Sequence, residues 1–331
     1  MGKKFCALLN KDLRMMISGK YFFMAAGFLV LYTLYVNLGY VRFMKEDPYH
    51  VYLYDPQGLE EDVASEIIRV SSKEELEDAL QSDGGSAGVD LSSGKVQVIL
   101  YEGTPKSDQY RAAYALSRLQ SSHEYRAEVV GDHTLEQKAR REITCELLFF
   151  EISAVGFLGI AAILFKEKNM GVIRVHGILP LPKGLFLFSK MIIFLLADLA
   201  FAVLLTLFNT GWAQGLRVLP GVLIQTIFLS LVMALVGIGC SLLLKDFRQF
   251  TLAYLVIAIF VATPVFLTAN TPVKLEGIAY HPFYPIYMGL KNAYFGNWAA
   301  DPLYFAGVTC GIVVLFAGVW LAFCKEMAKE G

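Results

Sequence analysis

The chain has 331 residues, 56% of them hydrophobic and 18% charged, with a formal net charge of −1. Its mean hydropathy of +0.50 is too high for a soluble chain of this length. A membrane protein is expected, with the lipid bilayer as a partner and no nucleic acid.

Residues 1–20 read as an amphipathic helix. At about 100° per residue, Phe5, Leu8, Leu9, Leu13 and Met16 share one face while Lys3, Lys4, Asn10, Lys11 and Arg14 share the other. Such a helix lies in the interface with its basic side chains towards anionic headgroups. Asp12 falls inside the apolar arc, so part of that face is expected to meet protein rather than lipid. The apolar run that follows is long, begins late and lacks a small-x-small cleavage site, which favours a retained first span, 21–41, over a signal peptide.

Residues 42–145 carry 20 acids and 12 bases, whereas the rest of the chain carries 10 acids and 17 bases. That asymmetry marks an independent, solvated unit. Short apolar runs at 50–54, 67–70, 88–91 and 96–101 read as strands, with Ser93-Gly94 turning a hairpin. Helices are expected at 59–66, 73–81 and 107–120, the second opened by a capping box in which Ser72 and Glu75 bond reciprocally to free amides. A small α/β domain results, and 126–146 reads as a polar helical stalk running into the second span. Of the five cysteines only Cys145 lies near this unit, so no disulfide framework is expected inside it.

Crossing about 30 Å of hydrocarbon takes about 20 apolar residues. Six stretches qualify: 21–41, 147–165, 185–208, 218–244, 250–269 and 303–324. Lys3, Lys4, Lys11, Arg14 and Lys20 precede the first, Lys166, Lys168, Arg174, Lys183 and Lys190 join the second and third, Lys245 and Arg248 join the fourth and fifth, and Lys325 and Lys329 follow the sixth. The short connections opposite hold only Arg217, Lys274 and Lys291. The positive-inside bias places both termini in the cytoplasm of a cell membrane and 42–145 outside. The expected fold class is an all-α six-helix transmembrane domain with an inserted extracytoplasmic α/β domain.

Acids within spans are costly. Asp198 follows Lys190 by about 12 Å of helix, at a depth where an ionised carboxylate costs about 2.5–3.5 kcal/mol. It must find a partner, a cavity or a proton, and is the intramembrane polar candidate. Glu146 and Glu151 are expected near the outer end of span two, where snorkelling to water is easy. No Gly-Lys pair is followed by Ser or Thr, so no phosphate-binding loop is present, and the histidines show no metal-ligand spacing.

The connection 166–190 is more than a plain loop. Within 167–190, five basic residues, counting His176, stand against the single acid Glu167. Gly171 lets the chain turn out of the span; Val172, Ile173, Val175, Ile178 and Leu179 form an apolar knob interrupted by Arg174; Pro180 and Pro182 stop and aim it. The order Glu167, Gly171, short apolar helix, Pro180, Lys190 resembles the cytoplasmic coupling segment of type-2 ATP-binding-cassette (ABC) transporter permeases of the type V fold. The chain departs from that pattern at Val172, where Thr is frequent, at Leu179, where Thr or Ser often precedes Pro, and at Ser189, where Gly is usual.

The resemblance extends to Leu76–Leu80 and Gly88-Val89-Asp90 in the inserted domain, and to 272–302, which is similar to the family's external re-entrant helix, its Tyr-rich face expected at headgroup level. It implies a transport subunit of an exporter, not an enzyme itself, without a cofactor of its own. An ATPase subunit would hold ATP and Mg and dock on Glu167, Gly171, Val172, Ile173, Arg174, Val175, Ile178, Leu179 and Pro180. A second permease copy, identical or related, would complete the pathway, and the apolar, aromatic spans suit an amphipathic cargo such as a drug, peptide or lipid. Two other classes stay open: a membrane sensor or scaffold with an external ligand-binding domain, and an ion-coupled secondary transporter, which would favour inverted repeats.

Overall fold

Backbone polar groups cannot stay unpaired in hydrocarbon, so a chain this apolar satisfies them within helices. The computed structural model describes residues 2–41, 50–58, 67–82, 86–93, 95–100, 105–119, 135–173, 175, 182–269, 276–297 and 301–328. In chain order the elements are α1 (Gly2–Ser18), α2 (Tyr21–Leu34) with a π-helical extension Tyr35–Tyr40, β1 (Val51–Tyr54), β2 (Ile67–Arg69), α3 (Lys73–Ser82), β3 (Ala87–Asp90), β4 (Gln97–Leu100) and α4 (Pro105–Leu119). There follow α5 (Leu135–Phe150), a π-helical turn Glu151–Gly156, α6 (Phe157–Asn169), α7 (Lys183–Thr210), α8 (Trp212–Leu243), α9 (Phe247–Ala269), a 3-10 turn Glu276–Tyr280, α10 (Tyr284–Tyr294) and α11 (Pro302–Ala328). The helix expected over 59–66 and the stalk residues 126–134 lie outside the described residues.

The chain divides into two units, Met1–Gly39 with Gln137–Gly331, and Tyr40–Glu136. The first holds six helices long and apolar enough to cross a membrane: Tyr21–Tyr40, Glu136–Asn169, Gly184–Thr210, Trp212–Leu243, Phe247–Thr268 and Pro302–Met327. The second of these is 34 residues long, about 50 Å at the helical rise, because α5, the π turn and α6 run on without a break. α8 is the central helix, packed against α6, α7, α10 and α11. Spans one and six bury only 11% of their apolar windows against 61% for α8.

Two apolar clusters fill this unit. One gathers Phe149, Phe157, Phe201, Leu229, Phe250, Tyr287 and Tyr294. The other gathers Met16, Ile160, Phe186, Phe194, Leu235 and Phe323, so the apolar face of α1 does meet protein. Between α1 and α2 the chain turns sharply at Lys20, whose φ of 59° is the one positive value at a described non-glycine residue.

The second unit is a small four-stranded sheet in the order β2-β1-β3-β4. β1 pairs in parallel with β2 and β3, and β3 with β4 in antiparallel. Period-two patterning turns Val51 and Leu53 of β1 inward. α3 rests directly on β3: a Cβ at Gly88 would come within 2.9 Å of Leu80 and 3.0 Å of Leu76. The helix opens on the expected Ser72 and Glu75, with Ser72 Oγ accepting from the Glu75 amide at 3.1 Å, but Glu75 reaches one residue further back, to the Ser71 amide at 2.7 Å.

Candidate functional site: a buried charge cluster and a carboxyl-lined cavity

The connection between α6 and α7 is tied at its base. Glu167 ends the buried face of α6 and Lys190 sits about two turns into α7, on its buried face. Lys190 Nζ lies 2.8 Å from Glu167 Oε1 and 2.6 Å from Asp12 Oδ1 of α1. Lys11 Nζ adds a second cation 2.8 Å from Glu167 Oε1, and Ser189 Oγ donates to Asp12 Oδ2 at 2.8 Å. Asp12, Glu167 and Lys190 are 2%, 0% and 1% exposed. Two carboxylates and two ammonium groups thus balance, which burial demands, since an unpaired ion removed from water costs several kcal/mol. The ring of Phe186 closes one side, its centroid 5.3 Å from Lys190 Nζ.

Two oddities of the sequence resolve together here. Asp12 breaks the apolar arc of α1, and Ser189 stands where the resemblance leads one to expect Gly; the two side chains hydrogen-bond each other. Lys11 and Ser189 were not legible as site residues, but Asp12 was a signal that α1 docks on protein.

Beyond Glu167 the chain leaves α6 at Gly171, whose φ of 71° is the left-handed conformation that ends helices. Lys168 turns to the end of α8, donating to the carbonyls of Leu244 at 3.0 Å and Ser241 at 3.4 Å, and lies 3.5 Å from Glu326. A cation at a helix C-terminus complements its dipole. The expected knob separates into two environments. Ile173 is buried in the cluster with Met16, Leu164 and Phe186, so it faces this chain's own core. Val175 is 54% exposed, and Val172 is half-buried. Arg174, Ile178, Leu179 and Pro180 lie outside the described residues.

A second polar site lies within the spans. Asp198 of α7 accepts from Ser230 Oγ of α8 at 2.6 Å. It lies against the π turn of span two, where a Cβ at Gly156 would stand 3.4 Å from its Oδ1. That turn begins with Glu151, expected to snorkel at the outer end of the span; instead the residue is 6% exposed and its Oε2 has no hydrogen-bond partner. The extra residue of a π turn widens the helix locally, a distortion frequent at functional sites. Glu151 and Asp198 border a cavity of about 170 Å³ walled by Tyr21, Phe22, Phe201 and Leu204.

α10 corrects another expectation. Two of its three tyrosines turn inward rather than to a headgroup face: Tyr287 and Tyr294 are fully buried, and Tyr284 is half-buried. Tyr287 packs edge-on against Phe149 at 5.4 Å, and Tyr294 shares a hydrogen bond with Thr206 at 2.8 Å. Lys291 fastens the same helix to Glu142 of α5 at 2.6 Å. His281 just before it is held below its ordinary pKa by burial.

Six helices long and apolar enough to cross a membrane mark a multi-pass membrane protein. Comparison with protein-family models, with curated proteins and with solved structures returns no match.

Proposed function

We propose that the chain is the permease subunit of a type-2 ABC exporter, with both termini and the 166–190 connection in the cytoplasm and the sheet unit outside. An ATPase subunit carrying ATP and Mg docks on the connection, a second permease copy completes the pathway, and an amphipathic cargo moves between them. The observation that carries this reading is the Glu167–Lys190 contact at 2.8 Å. It ties the two ends of the connection together, so a push on the segment is delivered to spans two and three and, through Asp12, to α1. A small shear at the docking surface then becomes a change of access across the membrane.

Val175 supplies the test, being exposed where Ile173 is not. Val175→Asp should leave the permease folded and inserted but reduce co-purification of an ATP-binding subunit from native membranes and abolish transport-stimulated ATP hydrolysis. Purification of the wild-type complex without any nucleotide-binding chain, or unchanged coupling in the variant, overturns the reading.

A further inference from the structure

We propose that Glu151 and Asp198 form a binding site for an amphipathic organic monocation, its ammonium head between the two carboxyl groups and its apolar body along Phe22, Phe201 and Leu204. Three observations converge. Glu151 is more than nine-tenths buried, borders the cavity, and leaves Oε2 without a hydrogen-bond partner. No ion pair within the described residues reaches either acid, in contrast to the charge-balanced cluster at Glu167. The remaining wall is aromatic and aliphatic, and the mouth at Phe22, Ala200 and Leu204 is exposed on the apolar flank of the helices rather than on a polar end.

Those features select the ligand class. The Tyr32 hydroxyl stands beside the Glu151 carboxyl, yet Oε2 keeps an open lone pair, and an ammonium supplies up to three donors. Rings of Tyr21, Phe22 and Phe201 add cation–π attraction to a charge that has left water. A divalent metal ion would need six or more oxygens, whereas this wall offers few besides the two carboxyls. The larger groove of about 490 Å³ beside Val236, Phe283 and Leu303 has no charged group in its lining, so it cannot select for charge. The inference deepens the export reading by naming a cargo class, but the binding itself needs only this chain; loss of ATPase coupling and loss of cation binding are separately measurable.

Equilibrium dialysis of 4-phenylbutylammonium against the purified full chain in lipid nanodiscs tests it, with 4-phenylbutanol as the neutral counterpart and empty nanodiscs as the blank. The expected result is saturable binding of the cation, with the alcohol and the Glu151→Gln and Asp198→Asn variants at least about tenfold weaker, the loss of one charge-assisted hydrogen bond. Ala200→Phe, which narrows the mouth and leaves both carboxyls in place, should weaken binding similarly and covers the case in which a carboxyl variant fails to fold. Equal binding of alcohol and cation, undiminished binding in Glu151→Gln or Ala200→Phe, or displacement by an equal concentration of sodium ion overturns the proposal.

Discussion

Lys190 is the buried cation that contacts both carboxylates of the cluster, and its removal has a sign fixed by electrostatics. Lys190→Met keeps the stem volume but leaves Asp12 and Glu167 to share Lys11, with one buried negative charge uncompensated, so it should destabilise the chain by about 3–5 kcal/mol in reversible detergent unfolding. Adding Asp12→Asn and Glu167→Gln should recover most of that loss, because a matched set of neutral groups avoids the desolvation that the ion pairs must overcome. Asp198 behaves differently: Asn can still accept from Ser230, whereas Leu strands the hydroxyl. Asp198→Leu should therefore cost about 1 kcal/mol, at the low end because a helical serine can turn back to its own preceding turn. In the sheet unit, Ser92 hydrogen-bonds the Asp90 carboxylate, its amide donating at 2.8 Å, and with Lys73 nearby holds Asp90 below its ordinary pKa. A depressed carboxyl pKa stabilises the fold at pH values above the unfolded-state pKa, and the contribution disappears as pH falls through the folded one. Protease resistance of the sheet unit should drop over that acidic window in the wild type and stay flat in Asp90→Asn.

At the level of elements, α10 is held by space as much as by bonds. A Cβ at Gly289 would come within 2.8 Å of both Gln225 Oε1 and Tyr304 Oη, which bond each other at 2.6 Å. Gly289→Ala should break that hydrogen bond or lift α10, at a cost of about 1–3 kcal/mol, and Gln225→Leu in the same chain should recover part of it. The hydropathy pattern made α2 and the five later spans legible, and short apolar runs made all four strands legible, since both signals are local. The faces of α10 were not. Tyrosine at the edge of a membrane reads as an interfacial anchor, but Tyr294 found Thr206, 88 residues away, and a hydroxyl with a partner can be buried. The π turn was equally invisible, because one inserted residue leaves composition unchanged; its effect is to bring Glu151, which reads as an ordinary span-end acid, beside Asp198. Likewise the Glu167 and Lys190 spacing was readable, while the docking of Asp12 on Lys190 required three segments to meet.

For the whole molecule, orientation is the property on which the other roles depend. With native cysteines replaced, Glu77→Cys should react with an impermeant thiol reagent in intact cells, and Asn169→Cys only after lysis; both positions are exposed. Labelling in the opposite order would place the charge cluster and its attached connection outside, away from any ATPase. The cluster also has a consequence in time. Asp12 and Lys190 are 178 residues apart in the chain, and at ribosomal rates of about 5–20 residues per second the aspartate waits roughly 10–35 s for its partner. α1 is therefore made well before the element on which it is seated. A nascent chain stalled before span three should leave α1 open to protease at the membrane surface, and one stalled after it should protect the same helix, so that birth order, and not affinity alone, decides when α1 takes its place.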